Sequence, residues 1–180
     1  MQIPIFKPQT EWTAPTDFPD LSKYDEIAID LETKDPNLNE RMGSGSVIGV
    51  GDVVGISLAT HDWCAYYPIA HEGGGNLDRK MVLKWLQDQM NTNSTKIFHN
   101  AMYDVCWLRR LGIKINGKIV DTMIAAAIIN ENRLRYDLNG ICRDYLGKGK
   151  DESALYEAAK SWGVDPKAEM YKLPAMHVGA

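Results

Sequence analysis

Two carboxylates, Asp30 and Glu32, lie near the end of the run Ile27-Ala28-Ile29-Asp30-Leu31-Glu32-Thr33. Apolar Ile27, Ile29 and Leu31 alternate with Ala28, Asp30 and Glu32, which is the period of a strand with one packed face. The same alternation puts both acids on the other face, with Cα atoms roughly 6.5 Å apart. Such a pair repels itself and resists desolvation. A divalent cation relieves both problems, and hard oxygen ligands at this spacing suit Mg²⁺ or Mn²⁺. The competing reading is a strand running out into water with its acids simply hydrated.

Two further groupings carry candidate chemistry. His99-Asn100-Ala101-Met102-Tyr103-Asp104 spans a strand-to-helix junction, with Asp104 in the first turn of the helix. The helix dipole alone would favour an acid there. Asp121-Thr122-Met123 occupies the next such junction. Other chemistries find less support. Cys64, Cys106 and Cys142 are widely spaced and form no CxxC pair, which argues against a zinc site or a disulfide framework and for a reducing compartment. Gly73-Gly74-Gly75 lacks the frame of a phosphate-binding loop. A net charge of −4 excludes a protein that holds DNA by bulk positive charge. No apolar run reaches membrane-spanning length, and no signal-peptide pattern opens the chain.

Strands are expected at 26–32, 53–59 and 63–69, joined by short connections and so forming an antiparallel meander. Short strands at 96–99 and 119–121 alternate with helices at 77–90, 101–111 and 122–129. Asn76 and Asn100 read as N-caps. The helix at 122–129 is apolar nearly all round and is therefore expected to be buried. Further helices follow at 137–145, 152–162 and 165–172. Residues 1–23, broken by Pro4, Pro8, Pro15 and Pro19, read as an extended arm stapled by Trp12 and Phe18, ahead of a single domain at 24–180. A meander followed by crossover units makes an α/β fold, a mixed central sheet flanked by helices.

Asp30-x-Glu32, Asn100-x-x-x-Asp104 and Asp121-Thr122-Met123, in this order and on these elements, resemble the DEDD (DnaQ-like) 3′–5′ exonucleases. The resemblance is closest to the proofreading domain of family A DNA polymerases, of bacterial polymerase I and its phage relatives. Tyr67-Pro68-Ile69-Ala70-His71-Glu72 and Ile128-Ile129-Asn130 extend it. It implies a ribonuclease H-like fold and two divalent metal ions, Mg²⁺ or Mn²⁺. Asp30, Glu32 and Asp104 would be the catalytic, metal-binding acids. The backbone at Leu31 and Thr33, with Asn100 and Tyr103, would contact the terminal nucleotide. Asp121 would stand beside the site without binding metal. The implied substrate is the 3′ end of single-stranded DNA, and the implied partner a polymerase domain in the parent protein, in the cytoplasm of a bacterium or phage-infected cell.

One departure matters. The family's fourth acid lies in a Tyr-x-x-x-Asp or His-x-x-x-x-Asp motif, and none follows the last expected helix. The domain is accordingly expected to be truncated before that motif, with Asp165 and Glu169 as the available substitutes. The alternative function is a catalytically silent nucleic-acid-binding or scaffolding fragment that needs a further segment or partner chain. Arg133, Arg135, Arg143, Lys148 and Lys150 form either a surface that tracks a single strand or ordinary solvated charges.

Overall fold

The alternation in the first strand is realised as β1 (Glu26–Lys34), the central strand of a five-stranded sheet. The computed structural model describes residues 10–38 and 44–180. After β1 come a one-turn helix α1 (Gly45–Ile48), β2 (Asp52–Ala59) and β3 (Cys64–Pro68). Helix α2 (Arg79–Met90) crosses to β4 (Thr95–Phe98), and α3 (Ala101–Arg110) crosses to β5 (Ile119–Asp121). Helices α4 (Thr122–Ile129), α5 (Leu138–Leu146) and α6 (Ser153–Trp162) follow, then two short 3₁₀ turns at Met170–Lys172 and Ala175–His177. The strand order is β3-β2-β1-β4-β5. The meander β1-β2-β3 is antiparallel, and β4 and β5 add parallel to β1. This is the expected mixed sheet.

The two faces of the sheet differ in kind. Ile27, Ile29 and Leu31 of β1, Ile56 and Leu58 of β2, and Tyr67 of β3 join Val82, Trp85 and Leu86 of α2 and Trp107 and Leu108 of α3 in one buried cluster. Each fully buried side chain of this size contributes roughly 1.5–3 kcal/mol. Phe18 packs on Tyr67 and Trp85, and Leu21 is buried in the same cluster, so residues ahead of β1 are tied to the core. The opposite face carries Ala28, Asp30 and Glu32 across from Ala59, Ser57 and Gly55. These small and polar residues border a cavity of about 670 Å³, closed on its sides by Trp12, Tyr66, Leu138, Val178 and Gly179.

Several local expectations are corrected. Helix α2 is capped by Asp78, whose carboxylate accepts from the Met81 amide at 2.8 Å, and not by Asn76. Asn76 instead clasps the backbone of His71, accepting from its N–H at 2.7 Å and donating to its carbonyl at 2.8 Å. Helix α4 is not buried as a whole: Ala126 is, but Ile124, Ile128 and Ile129 are exposed. It follows the edge strand β5, so one side only finds a neighbour. The run Met42-Gly43-Ser44-Gly45-Ser46 reads from its composition as a mobile loop; residues 42–43 fall outside those described, while Ser44 caps α1 through the Ser46 amide. The first nine residues of the expected arm also lie outside the described residues.

Candidate active site

Strand geometry fixes two of the three acids. Asp30 and Glu32 lie two residues apart on β1, pair across to Ser57 and Gly55, and both line the cavity. The register shifts between Glu32 and Thr33, where Val53 follows Gly55 as the next partner. A bulge of this kind re-aims side chains and is common beside active sites. Leu31 points the other way and is buried, so it can offer a ligand its backbone alone.

The third acid arrives from helix α3. Asp104 is 3% exposed, although it is a carboxylate. Burial, and next the neighbouring Asp30 charge, push its pKa up to about 8, with Glu32 and Asp121 adding to the effect and the Leu31 amide opposing it. Burial and then Asp30 likewise push Glu32 up to about 7, partly opposed by Lys150. Asp30, Glu32 and Asp104 thus share one electrostatic neighbourhood in which a cation is wanted. Among the described residues, no three His, Cys, Asp or Glu side chains converge closely enough to enclose an ion by themselves. The donor set nevertheless fits a hard divalent cation: three carboxylates, hindered from ionising together by burial and by one another.

The junction between β4 and α3 is held by Asp121. Its carboxylate accepts from the amides of Asn100 (3.0 Å), Ala101 (2.8 Å) and Met123 (2.9 Å), so one side chain caps both α3 and α4. Burial works against its ionisation, but these amides outweigh it and keep its pKa below the usual carboxylate value. Asn100 does not cap with its own side chain. Its backbone is left-handed at φ 70°, the sole non-glycine with positive φ among the described residues, and it is exposed. Such strained residues persist where the surroundings over-determine them. Asp121→Ala should cost about 2–4 kcal/mol, since two caps of about 1–2 kcal/mol each are lost at once. Urea unfolding measures it, and a cost below the value of a single cap would contradict the dual role.

Thr33 and Tyr103 are joined to each other. The Tyr103 hydroxyl donates to Asp35 Oδ2 at 3.1 Å and accepts from Thr33 Oγ1 at 2.7 Å. Asp35, buried, also accepts from the Gly45 and Asn37 amides. It anchors the loop after β1 to the helix that carries Asp104. Nothing in the sequence singled it out, because its partners are distant or belong to backbone.

Two more residues lie near Glu32: Lys150, from the basic cluster, and Glu152, which sequence reasoning did not single out. Lys150 and Glu152, between α5 and α6, both influence the Glu32 carboxyl, the first favouring its charge and the second opposing it. Asp165 and Glu169, the substitutes suggested by the sequence, are engaged elsewhere. Asp165 accepts from the Lys167 and Ala168 amides, and Glu169 pairs with Lys172. In the basic cluster, Arg133 is bound to Asp144 and to the Arg135 carbonyl.

Known proteins similar to the chain agree with one another. A family model described as 3′–5′ exonuclease matches residues 15–173. A DNA-directed DNA polymerase of Pseudomonas phage M6 is 35% identical over 187 aligned residues, 99% of this chain and 28% of the polymerase. DNA polymerase I of Chloroflexus aurantiacus is 36% identical over 89 residues, 48% of this chain and 9% of that protein. The match therefore spans from 9% to 28% of these relatives' own length. Among solved structures, Brucella melitensis NrnC with bound Mg²⁺ superposes with a TM-score of 0.54 at 19% identity, covering 83% of this chain and 71% of that one. Escherichia coli RNase D, an exoribonuclease involved in structured RNA processing, gives 0.54 at 15% identity, covering 84% and 37%. These two likenesses show the shared ribonuclease H-like fold. By the family match and by the phage relative, the chain belongs to the 3′–5′ exonuclease family, in the branch carried by polymerase I-like DNA polymerases.

Proposed function

We propose that the chain removes nucleotides from the 3′ end of single-stranded DNA by hydrolysis, as the proofreading part of a polymerase I-like protein in the cytoplasm of a bacterium or phage-infected cell. One observation carries this reading. Asp30, Glu32 and Asp104 come from two elements into one neighbourhood, where burial and mutual repulsion raise Glu32 and Asp104 above ordinary carboxylates. Asp30, Glu32 and Asp104 would hold two divalent ions between them, Glu32 serving the first and Asp104 the second. When bound, such a pair activates a water for attack on phosphorus and neutralises charge on the leaving 3′ oxygen.

The chain's own residues do the rest. Asn100 offers an exposed side-chain amide beside the site, on a turn that Asp121 clamps. Backbone groups of Leu31 and Thr33 flank the acids and suit the terminal nucleotide, and Tyr103 stands behind Thr33. The products would be a nucleoside 5′-monophosphate and a strand shortened by one residue with a free 3′ hydroxyl. DNA is preferred over RNA here because the phage relative that matches nearly the whole chain is a DNA polymerase.

The test is a 5′-labelled single-stranded DNA oligonucleotide incubated with Mn²⁺, with Mg²⁺ and with chelator, beside an RNA of the same sequence. A metal-dependent ladder shortening from the 3′ end of the DNA is the expected result. The second reading, a silent binding module, draws on the absence of an ion-enclosing cluster among the described residues. It requires strand binding without cleavage under every metal condition.

A further inference from the structure

Tyr66 shares the cavity with Asp30 and Glu32, and no role in the chemistry above has been given to it. Its position follows from strand register. Tyr66 of β3 pairs with Ser57 of β2, which pairs with Asp30 of β1, so all three project from the same face. The phenol leans along β2 toward Gly55, the residue directly across from Glu32. A Cβ on Gly55 would fall 1.9 Å from the Tyr66 hydroxyl oxygen. That oxygen therefore occupies the place of a Gly55 side chain. Directly opposed Cβ positions in a sheet are about 4.5–5.5 Å apart, so the hydroxyl stands beside the Glu32 side chain. Any residue larger than glycine at 55 would expel it.

The hydroxyl's proton is already committed. Tyr66 Oη and His71 Nε2 are 2.6 Å apart, and His71 Nδ1 is 3.1 Å from the Leu173 carbonyl oxygen. A carbonyl only accepts, so Nδ1 carries the imidazole proton and Nε2 accepts from the phenol. Burial keeps His71 neutral by pushing its pKa down to about 4. The Asn76 clasp on the His71 backbone and the Glu72 amide bond to the Tyr171 carbonyl hold this relay in place. With its proton given to His71, Tyr66 presents only lone pairs to the Glu32 side. A carboxylate also presents only lone pairs. Two acceptors side by side are satisfied by a donor shared between them, and in a hydrolytic site the natural shared donor is water.

We infer that Tyr66, its proton fixed by His71, is a positioning residue that accepts one hydrogen of the attacking water while Glu32 accepts the other. Two acceptors on one water fix the directions of both its lone pairs and so aim one of them at phosphorus, which is the alignment an in-line attack requires. This inference rests on the hydrolytic reading of the same site.

The test compares wild type with Tyr66→Phe, which keeps the ring over Gly55 and removes the oxygen. Both proteins are assayed in Mn²⁺ on single-stranded DNA and on the p-nitrophenyl ester of thymidine 5′-phosphate. The ester's leaving group departs without help, so it isolates the attack. Misalignment of a reacting group costs up to about 100-fold. The expected result is a kcat lower by roughly 10- to 100-fold on both substrates, with KM unchanged. An unchanged kcat, a loss confined to DNA, or a change in KM alone overturns the inference. If wild type cleaves neither substrate, the hydrolytic reading fails first, and high-resolution crystal structures then decide the position of Tyr66. An ordered water within hydrogen-bond reach of both Tyr66 Oη and Glu32, missing in the variant, supports the shared-donor geometry. A direct Tyr66–Glu32 hydrogen bond, or a hydroxyl turned away from Glu32, overturns it.

Discussion

Replacing Asp30 by alanine is expected to lower metal-dependent cleavage at least ~10³-fold, because groups that act as one unit lose most of their effect together. Asp30 occupies the pivotal position. It lies on the central strand, lines the cavity, and is the leading charge acting on both Glu32 and Asp104. Its removal therefore does two things that pull in opposite directions. It deprives a bound cation of a carboxylate, and it relieves the repulsion felt by the two remaining acids. Activity should collapse while the fold in chelator becomes no less stable, or slightly more so. The 5′-labelled ladder reads the first effect and a thermal melt in chelator reads the second. A ladder of wild-type intensity from Asp30→Ala would remove these acids from the reaction. A large drop in melting temperature would instead make Asp30 a structural residue.

How far this site could be read from the sequence depended on how far apart the cooperating residues lie. Alternation in β1 determines which face Asp30 and Glu32 occupy, and pairing with β2 and β4 leaves that assignment intact. Helix phase likewise puts Val82, Trp85, Leu86 and Gln89 on one side of α2, and all four are buried. Cap assignments fared worse, since several side chains can compete to satisfy one helix end. Asn100 precedes α3 and has the right residue type, yet Asp121, 21 positions later, supplies the cap and leaves Asn100 in a left-handed turn. The apolar character of α4 gave no indication of how many neighbours it would find. Tyr66, His71 and Gly55 illustrate the same limit. Their relation exists only once three strands are in register and the segment around Leu173 has returned to the loop after β3.

Stability measured in chelator should fall as pH rises from about 6.5 to 9, which is the reverse of what salt-bridged carboxylates do. Glu32 at about 7 and Asp104 at about 8 both lie above the roughly 4 expected of unfolded carboxylates. Between those limits the native state holds more protons than the unfolded chain, so the stability they lend is present at low pH and is lost as pH climbs through 7 and 8. His71 acts oppositely at lower pH. Its native pKa of about 4 lies below the unfolded value near 6.5, so its contribution grows as pH rises and is complete by about 6.5. His177, also lowered by burial, adds in the same direction. Below pH 6.5 the histidines offset part of the loss from the acids; from pH 6.5 upward nothing offsets it, so melting temperature should decline by at least ~4 °C and level off above about pH 8, where both acids are ionised in either state. Mn²⁺ should reverse the decline, because a cation that binds the ionised acids of the folded state alone stabilises it by mass action. Its effect should be largest at pH 9 and smallest below pH 6, where Glu32 and Asp104 keep their protons. Asp30→Ala should lessen both the decline and the response to metal, since burial still raises Glu32 and Asp104 but the Asp30 charge that adds to it is gone. A melting temperature that climbs from pH 6.5 to 9 in chelator would mean that these acids are solvated or paired in the folded protein, and would remove the electrostatic reason for a metal at this site.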